Sequence, residues 1–116
     1  MPHYYEINPR MSMAVKHGGL LYISGQVPQD YDVGILDQTG QVLAKIDNLL
    51  EEAGSSRSLL LSINVYLPHI IDFDAMNSIY DLWIDPAAPP ARACVEARLA
   101  DPRLRVEMSA IAAVKN

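Results

Sequence analysis

The chain has 116 residues, half of them apolar and a fifth charged, a composition typical of a single globular domain spanning residues 1–116. This composition excludes a disordered or fibrous protein. The formal charge of −5 opposes binding to phosphates, so nucleic acid is not expected as a partner. Cys94 is the only cysteine, which rules out an intrachain disulfide and favours a reducing compartment. With no signal-peptide pattern and no apolar run long enough for a bilayer, we expect a cytoplasmic protein without a membrane partner.

Glycine and proline divide the first half of the chain into two strands and a helix. Gly18-Gly19 separates two β-like runs, 13–16 and 20–27, and this predicts a hairpin with a glycine turn. Over residues 35–53 the apolar residues recur at spacings of three and four, which predicts an amphipathic helix that ends at the next glycine. Gly40 costs about 1 kcal/mol relative to alanine inside a helix, so the helix is expected to begin later than the periodicity indicates.

The second half predicts a strand, a helix and a closing hairpin. Residues 59–67 are rich in branched apolar side chains and form a central strand, and Asp72 is the expected N-cap of a helix that ends by Pro86. Two further strands, 92–99 and 104–114, are separated by a short turn and are expected to pair directly. The order β-β-α-β-α-β-β predicts an α+β fold, with a mixed sheet covered by two helices on one face.

Side-chain alternation gives this last hairpin one polar face. If residues 99 and 104 close the hairpin, Glu96 lies opposite Glu107. Arg92 and Cys94 then lie on the same side of the sheet as these two glutamates. Two prolines hold Arg92 at the strand entrance, where its guanidinium suits bidentate binding of a planar carboxylate. The glutamate pair has two interpretations, a surface ion-pair ladder with Arg98 and Arg105, or a carboxyl with a raised pKa that positions water as a general base.

Arg92 and Glu107 cannot act together inside one chain with this pairing. Glu107 is displaced by four residues from the position opposite Arg92, or about 13 Å along the strand. The two side chains can meet only across a subunit boundary. The sequence therefore predicts an oligomer with composite sites, in which one chain provides the anion anchor and its neighbour the carboxylate.

Other chemistries find less support in the pattern. Cys94 has two interpretations, a reactive thiol beside a cation or a small buried hydrophobe. Ser24 is either a hydrogen-bond donor lining a pocket or a turn residue, because no Ser-His pair is evident. The three histidines lie in separate segments without metal-ligand spacing, so no metal site and no cofactor are expected.

Five segments resemble, in the right order and over nearly the whole chain, the signatures of the Rid (reactive-intermediate deaminase) family. They run from Gly18 to Pro28, Leu49 to Ser56, Asp72 to Asn77, Pro90 to Glu96 and Val106 to Ala112. The resemblance implies a chorismate-mutase-like fold that assembles into a homotrimeric barrel with clefts between subunits. It also implies hydrolysis of small 2-imino or enamino acids to 2-oxo acids and ammonia.

The resemblance also assigns roles to individual residues. The family's carboxylate-binding arginine falls on Arg92, and its water-positioning glutamate, from a neighbouring subunit, falls on Glu107. Ser24, Asn77 and Cys94 match its cleft-lining serine, asparagine and cysteine. Met11 stands where the archetypal deaminases have a cleft-lining tyrosine. In this respect the chain resembles a divergent subgroup that includes the YoaB-like proteins.

Two alternatives to a deaminase remain at this point. One is a non-catalytic or regulatory trimer that binds a small carboxylate metabolite in the same intersubunit cleft, which the missing tyrosine leaves open. The other is a ribonuclease or translation inhibitor, a description often attached to the family. The acidic balance and the absence of a basic stripe count against the second alternative.

Overall fold

The computed structural model describes residues 1–115, which form six strands, two α-helices and two single-turn 3-10 helices. The strands make one sheet in the order β1-β2-β3-β6-β4-β5, and the two helices pack side by side on one face of it. The predicted α+β arrangement is confirmed. We call the uncovered side of the sheet the open face. The elements are β1 (His3–Ile7), β2 (Ser12–His17), β3 (Leu20–Gln26), α1 (Ile35–Glu52), β4 (Leu60–Leu67), α2 (Phe73–Trp83), β5 (Ala91–Glu96) and β6 (Glu107–Ala113).

The glycine-turn hairpin of β2 and β3 is present as predicted. Gly18 and Gly19 both have positive φ, 61° and 79°, which a tight hairpin turn needs and which glycine adopts without strain. Strand β1, which pairs antiparallel with β2, was not predicted. Four of its five residues are exposed and only Tyr5 is buried, so its sequence carries little of the apolar alternation that marks a strand.

Helix α1 begins at Ile35, so the expectation of a later start is wrong. A Cβ built at Gly40 would meet nothing within 4 Å, and the local cost of glycine is outweighed by packing of the whole apolar stripe. The first turns are also held by buried Gln38, whose amide donates to three loop carbonyls and accepts from the Arg105 N–H. The stripe consists of Val42, Leu43, Ile46, Leu49 and Leu50.

The predicted pairing of the last two strands is wrong. Strand β5 pairs parallel with β4, after the crossover through α2, and β6 pairs antiparallel with both β3 and β4. Residues 97–106 therefore form a ten-residue connection across the end of β4. The burial of the strands explains the order: alternate residues of β6 are buried, as a central strand requires, whereas β5 is exposed at nearly every position, as an edge strand allows.

Asp72 occupies the N-cap position of α2, but its side chain does not cap the helix. Its carboxylate accepts hydrogen bonds from Arg105 Nε at 3.1 Å and Nη2 at 2.7 Å. This ion pair ties the start of α2 to the segment that precedes β6. Within residues 1–115, neither helix is long and apolar enough to cross a bilayer.

Candidate functional site

Arg92 lies on the helix-covered face of the sheet, at its edge. Its register partner in β4 is Ile63, which is fully buried beneath the helices. Its Nη1 donates to Asn77 Oδ1 of α2 at 2.7 Å. The guanidinium carbon lies 4.8 Å from the centre of the Tyr80 ring and 5.8 Å from that of Phe73. An amide and two aromatic rings therefore hold an exposed guanidinium in a defined orientation.

The partners of Arg92 are all uncharged, which sets it apart from the other arginines held by side-chain contacts. Within residues 1–115, no carboxylate pairs with Arg92. The positive charge of this guanidinium is therefore positioned without being neutralised. The contrasting pairs are Arg57 with Asp47, Arg103 with Asp101 and Arg105 with Asp72.

Cys94 lies on the same face as Arg92 and is partly buried against the core. Burial raises the pKa of the Cys94 thiol, and the positive charge of Arg92 lowers it by a smaller amount. The balance favours the protonated thiol at neutral pH. The structure thus supports the interpretation of Cys94 as a small buried hydrophobe over that of a reactive thiolate.

Glu107 lies on the open face, in a cleft of about 300 Å³. Its register partner across the sheet is Tyr66 of β4. Burial raises the pKa of the Glu107 carboxyl, because the charged form loses hydration. No side-chain hydrogen bond or ion pair within residues 1–115 satisfies this carboxylate. The cleft is lined by Gly25, Tyr66, Ala97, Arg98, Leu99, Ala100, Glu107 and Ser109.

The predicted contact between Glu96 and Glu107 does not exist, so the ion-pair ladder is wrong. The carboxylate of Glu96 accepts from the Ile70 N–H at 3.0 Å, and Arg105 pairs with Asp72. The raised pKa at Glu107 is present, but its cause is burial in the cleft and not a second carboxylate.

Arg92 and Glu107 lie on opposite faces of the sheet, contrary to the predicted shared face. The same-side assignment assumed that β5 and β6 pair directly, whereas β4 lies between them. Ile63 of β4 pairs with Arg92 on one side and with Ala110 of β6 on the other. Ala110 is three residues from Glu107 along β6. Two strand spacings and three residues give about 14 Å between their Cα atoms. A single chain cannot bring both side chains to one small molecule.

Ser24 and Met11 lie away from Arg92 within the protomer. The Ser24 hydroxyl donates to the Met13 carbonyl at 2.9 Å and accepts from Gln26 Nε2 at 3.2 Å. Three strand spacings separate its strand from β5. Met11 lies in the β1–β2 turn, with its N–H bonded to the side chain of Asn8. Of the residues predicted for the site, only Asn77 and Cys94 join Arg92 in one chain.

We call the surroundings of Arg92 and the cleft around Glu107 the two half-sites. Four of their residues were not predicted from the sequence. Phe73 and Tyr80 could have been found, because they flank Asn77 at helical spacing on the face that meets Arg92. Gly25 and Tyr66 could not, because they contact the Glu107 cleft only when β6 lies between β3 and β4.

Comparison with known sequences identifies relatives over most of the chain. A sequence profile of the family described as Endoribonuclease L-PSP matches residues 6–114. The RutC family protein YoaB from Escherichia coli K12 is 39% identical over 105 residues, which cover 90% of this chain and 91% of YoaB. A RutC family protein from Haemophilus influenzae is 40% identical over 104 residues, covering 89% of this chain and 90% of that protein. The similarity to YoaB agrees with the expected subgroup.

Solved structures show the same fold. A member of the YjgF family from Neisseria meningitidis superposes with a TM-score of 0.96 at 40% identity, over 100% of this chain and 97% of that one. The Rid family protein YyfA from Yersinia pestis superposes with a TM-score of 0.90 at 29% identity, over 98% and 100% of the two chains. As its five sequence signatures predict, the chain belongs to the Rid family, also named the RutC or YjgF family.

Proposed function

We propose that the chain is a reactive-intermediate deaminase, which hydrolyses small 2-imino or enamino acids to 2-oxo acids and ammonia. The observation that carries the proposal is the state of Arg92, a guanidinium held by an amide and two aromatic rings, with no carboxylate of residues 1–115 to neutralise it. Family membership supports the general assignment.

The substrate carboxylate binds the free N–H edge of Arg92. One Nη is already committed to Asn77, which fixes the plane of the guanidinium and presents its remaining donors to a planar anion. Such a contact is charge-assisted and bidentate, and it is stronger than a neutral hydrogen bond. The net charge of −5 makes an unpaired, ordered cation unusual on this surface, and a small acid is the ligand that suits it.

Glu107 of a neighbouring subunit activates water. Burial moves the pKa of this carboxyl upwards, towards the pH of the cell, and a general base is most effective when its pKa lies near the working pH. Glu107 takes a proton from water as the oxygen attacks the imine carbon, and returns it to the nitrogen to give a carbinolamine. It then takes the proton of the carbinolamine hydroxyl as the carbonyl forms, and delivers it to the nitrogen as the C–N bond breaks and ammonia leaves. General base catalysis of this kind contributes about 10²–10⁴-fold in rate. The complete site therefore requires the homotrimer, with Arg92 and Glu107 on different chains.

The test is ammonia release from an imine generated in situ by an amino-acid oxidase or a threonine dehydratase. Arg92→Ala should abolish the acceleration while the trimer stays folded, and Arg92→Lys should restore little of it, because a lysine cannot bind a carboxylate bidentately. Arg103→Ala, which removes surface ion pairs and a contact with the Tyr31 ring, is the matched control. Unchanged acceleration in Arg92→Ala, or a stable monomer by analytical ultracentrifugation at micromolar concentration, would overturn the mechanism.

The same assay separates the deaminase from the alternatives. A regulatory trimer that only binds a carboxylate metabolite would show saturable binding of a 2-oxo acid without acceleration of imine hydrolysis. A ribonuclease would degrade RNA in a reaction that Arg92→Ala abolishes. The acidic charge of the chain argues against the ribonuclease, although the family profile bears that description.

A further inference from the structure

Gly25, at the end of β3, lies directly against the carboxylate of Glu107. A Cβ added to Gly25 would collide with Glu107 Oε2, and it would lie 2.9 Å from Cδ and 3.3 Å from Cγ. Carbon atoms in contact normally stand about 3.5–4.0 Å apart. Any residue larger than glycine at this position therefore displaces the Glu107 side chain.

Backbone conformation does not explain the glycine. Positive φ values occur at Gly18, Gly19 and Gly54, whereas Gly25 has none, so alanine could adopt its backbone without strain. Within residues 1–115, Gly25 is the only one of the six glycines with an atom of another residue within 4 Å of a built Cβ. Close approach of one side chain is the only requirement for glycine that the structure shows here.

The local sheet geometry brings the two residues together. The β3–β6 register shifts between Ile23 and Gln26, an irregularity that places Gly25 beside Glu107 at the start of β6. Glycine within a strand commonly marks such a bulge or the close approach of another group. The Glu107 side chain can thus fold back onto the β3 backbone, where it is partly shielded from water.

We infer that Gly25 is a positioning residue: the absence of its side chain lets the Glu107 carboxylate pack onto β3, inside the cleft, in the orientation that activates water. This inference rests on the proposed function. Gly25 has no side chain with which to act on a substrate. Its contribution is to keep the base in place, and the role of Arg92 as anion anchor is independent of it.

The experiment compares Gly25→Ala with the double variant Gly25→Ala/Glu107→Asp. We expect Gly25→Ala to lower kcat at least tenfold with little change in KM, because Arg92 is untouched. The shorter aspartate clears the new methyl group, so the double variant should be more active than the product of the two single effects predicts. Simple additivity of the two changes would contradict the inference. Gly40→Ala, whose Cβ meets nothing, is the control and should retain wild-type turnover.

A second readout does not depend on activity. The Glu107 carboxyl can be titrated by carbon-13 NMR and assigned with Glu107→Gln, and its pKa should fall towards the ordinary value in folded Gly25→Ala, because the displaced carboxylate becomes hydrated. An unchanged titration would overturn the inference even in an active enzyme. A shifted titration in a protein that never accelerates imine hydrolysis would support the positioning role and reject the deaminase.

Discussion

Replacing Asn77 with aspartate tests whether the positive charge of Arg92 must have no carboxylate beside it. The two side chains have nearly the same shape, so the new carboxylate would take the place of the amide oxygen that lies 2.7 Å from Arg92 Nη1. A ligand carboxylate on the opposite edge of the guanidinium would lie roughly 6 Å from it. At that separation the repulsion is about 0.7 kcal/mol in water and about 3 kcal/mol at an effective dielectric of 20. Because Arg92 is exposed, we expect about 1 kcal/mol, or about a fivefold rise in Kd.

Isothermal titration calorimetry with a small 2-oxo acid measures this change. Asn77→Asp should bind more weakly than the wild type at low ionic strength, and the difference should shrink in 0.5 M salt, which screens exposed charges over about 4 Å. Asn77→Ala loses the orienting hydrogen bond but adds no charge, so its loss of affinity should depend less on salt. Wild-type affinity in Asn77→Asp, or a loss that salt does not reduce, would refute the idea that a neutral partner keeps Arg92 available for an anion.

Three further predictions concern stability and reactivity. Asp72→Ala leaves Arg105 without its partner and should lower the free energy of unfolding by about 2–3 kcal/mol, as urea denaturation will show. Alkylation of Cys94 by iodoacetamide should be slow at pH 7, because burial raises its pKa, and mass spectrometry should find it slower still in Arg92→Ala. The folded-state pKa of Glu107 is raised, so folding favours its protonated form. This contribution to stability is complete below the unfolded-state pKa and is lost as the pH rises through the folded-state pKa. Glu107→Gln should therefore raise Tm relative to the wild type at pH 8 but not at pH 3.5, measured by calorimetry.

Local sequence signals were sufficient for the elements with strong periodicity or glycine turns. The β2–β3 hairpin follows from its two glycines, and α1 from a stripe of apolar residues whose combined burial outweighs Gly40. The anchor role of Arg92 also came from local signals, the two prolines and the β-strand pattern around it, and this role stays a prediction. Each of these inferences depends on interactions between residues close in sequence, which is the information that periodicity and turn chemistry contain.

The errors concern which strands are neighbours. Alternation correctly predicted that β6 has one polar side, on which Glu107 lies, but alternation contains no information about which strand is the neighbour. The turn residues between 99 and 104 favour a hairpin locally. The chain instead uses ten residues to cross the end of β4, and β6 becomes a buried central strand. Non-local burial decides this choice, and it also places Arg92 on the face opposite to the predicted one.

The position of β6 separates the two candidate half-sites, around Arg92 and around Glu107, within one chain. The proposed assembly can therefore be tested directly. Arg92 stands at the sheet edge on the helix side, and Glu107 stands on the open face. In a ring of head-to-tail contacts, every interface would join the Arg92 half-site of one chain to the Glu107 half-site of the next.

Complementation between two inactive variants distinguishes composite sites from sites within one chain. Arg92→Ala and Glu107→Gln chains, mixed in equal amounts by denaturation and refolding, should regain about one quarter of the wild-type activity, because about one interface in four joins an intact arginine to an intact glutamate. Sites contained within a single chain would regain nothing on mixing, since every chain lacks one of the two groups. Because the sheet itself separates Arg92 from Glu107, recovery of activity is the outcome that the fold requires of a deaminase built on these two residues.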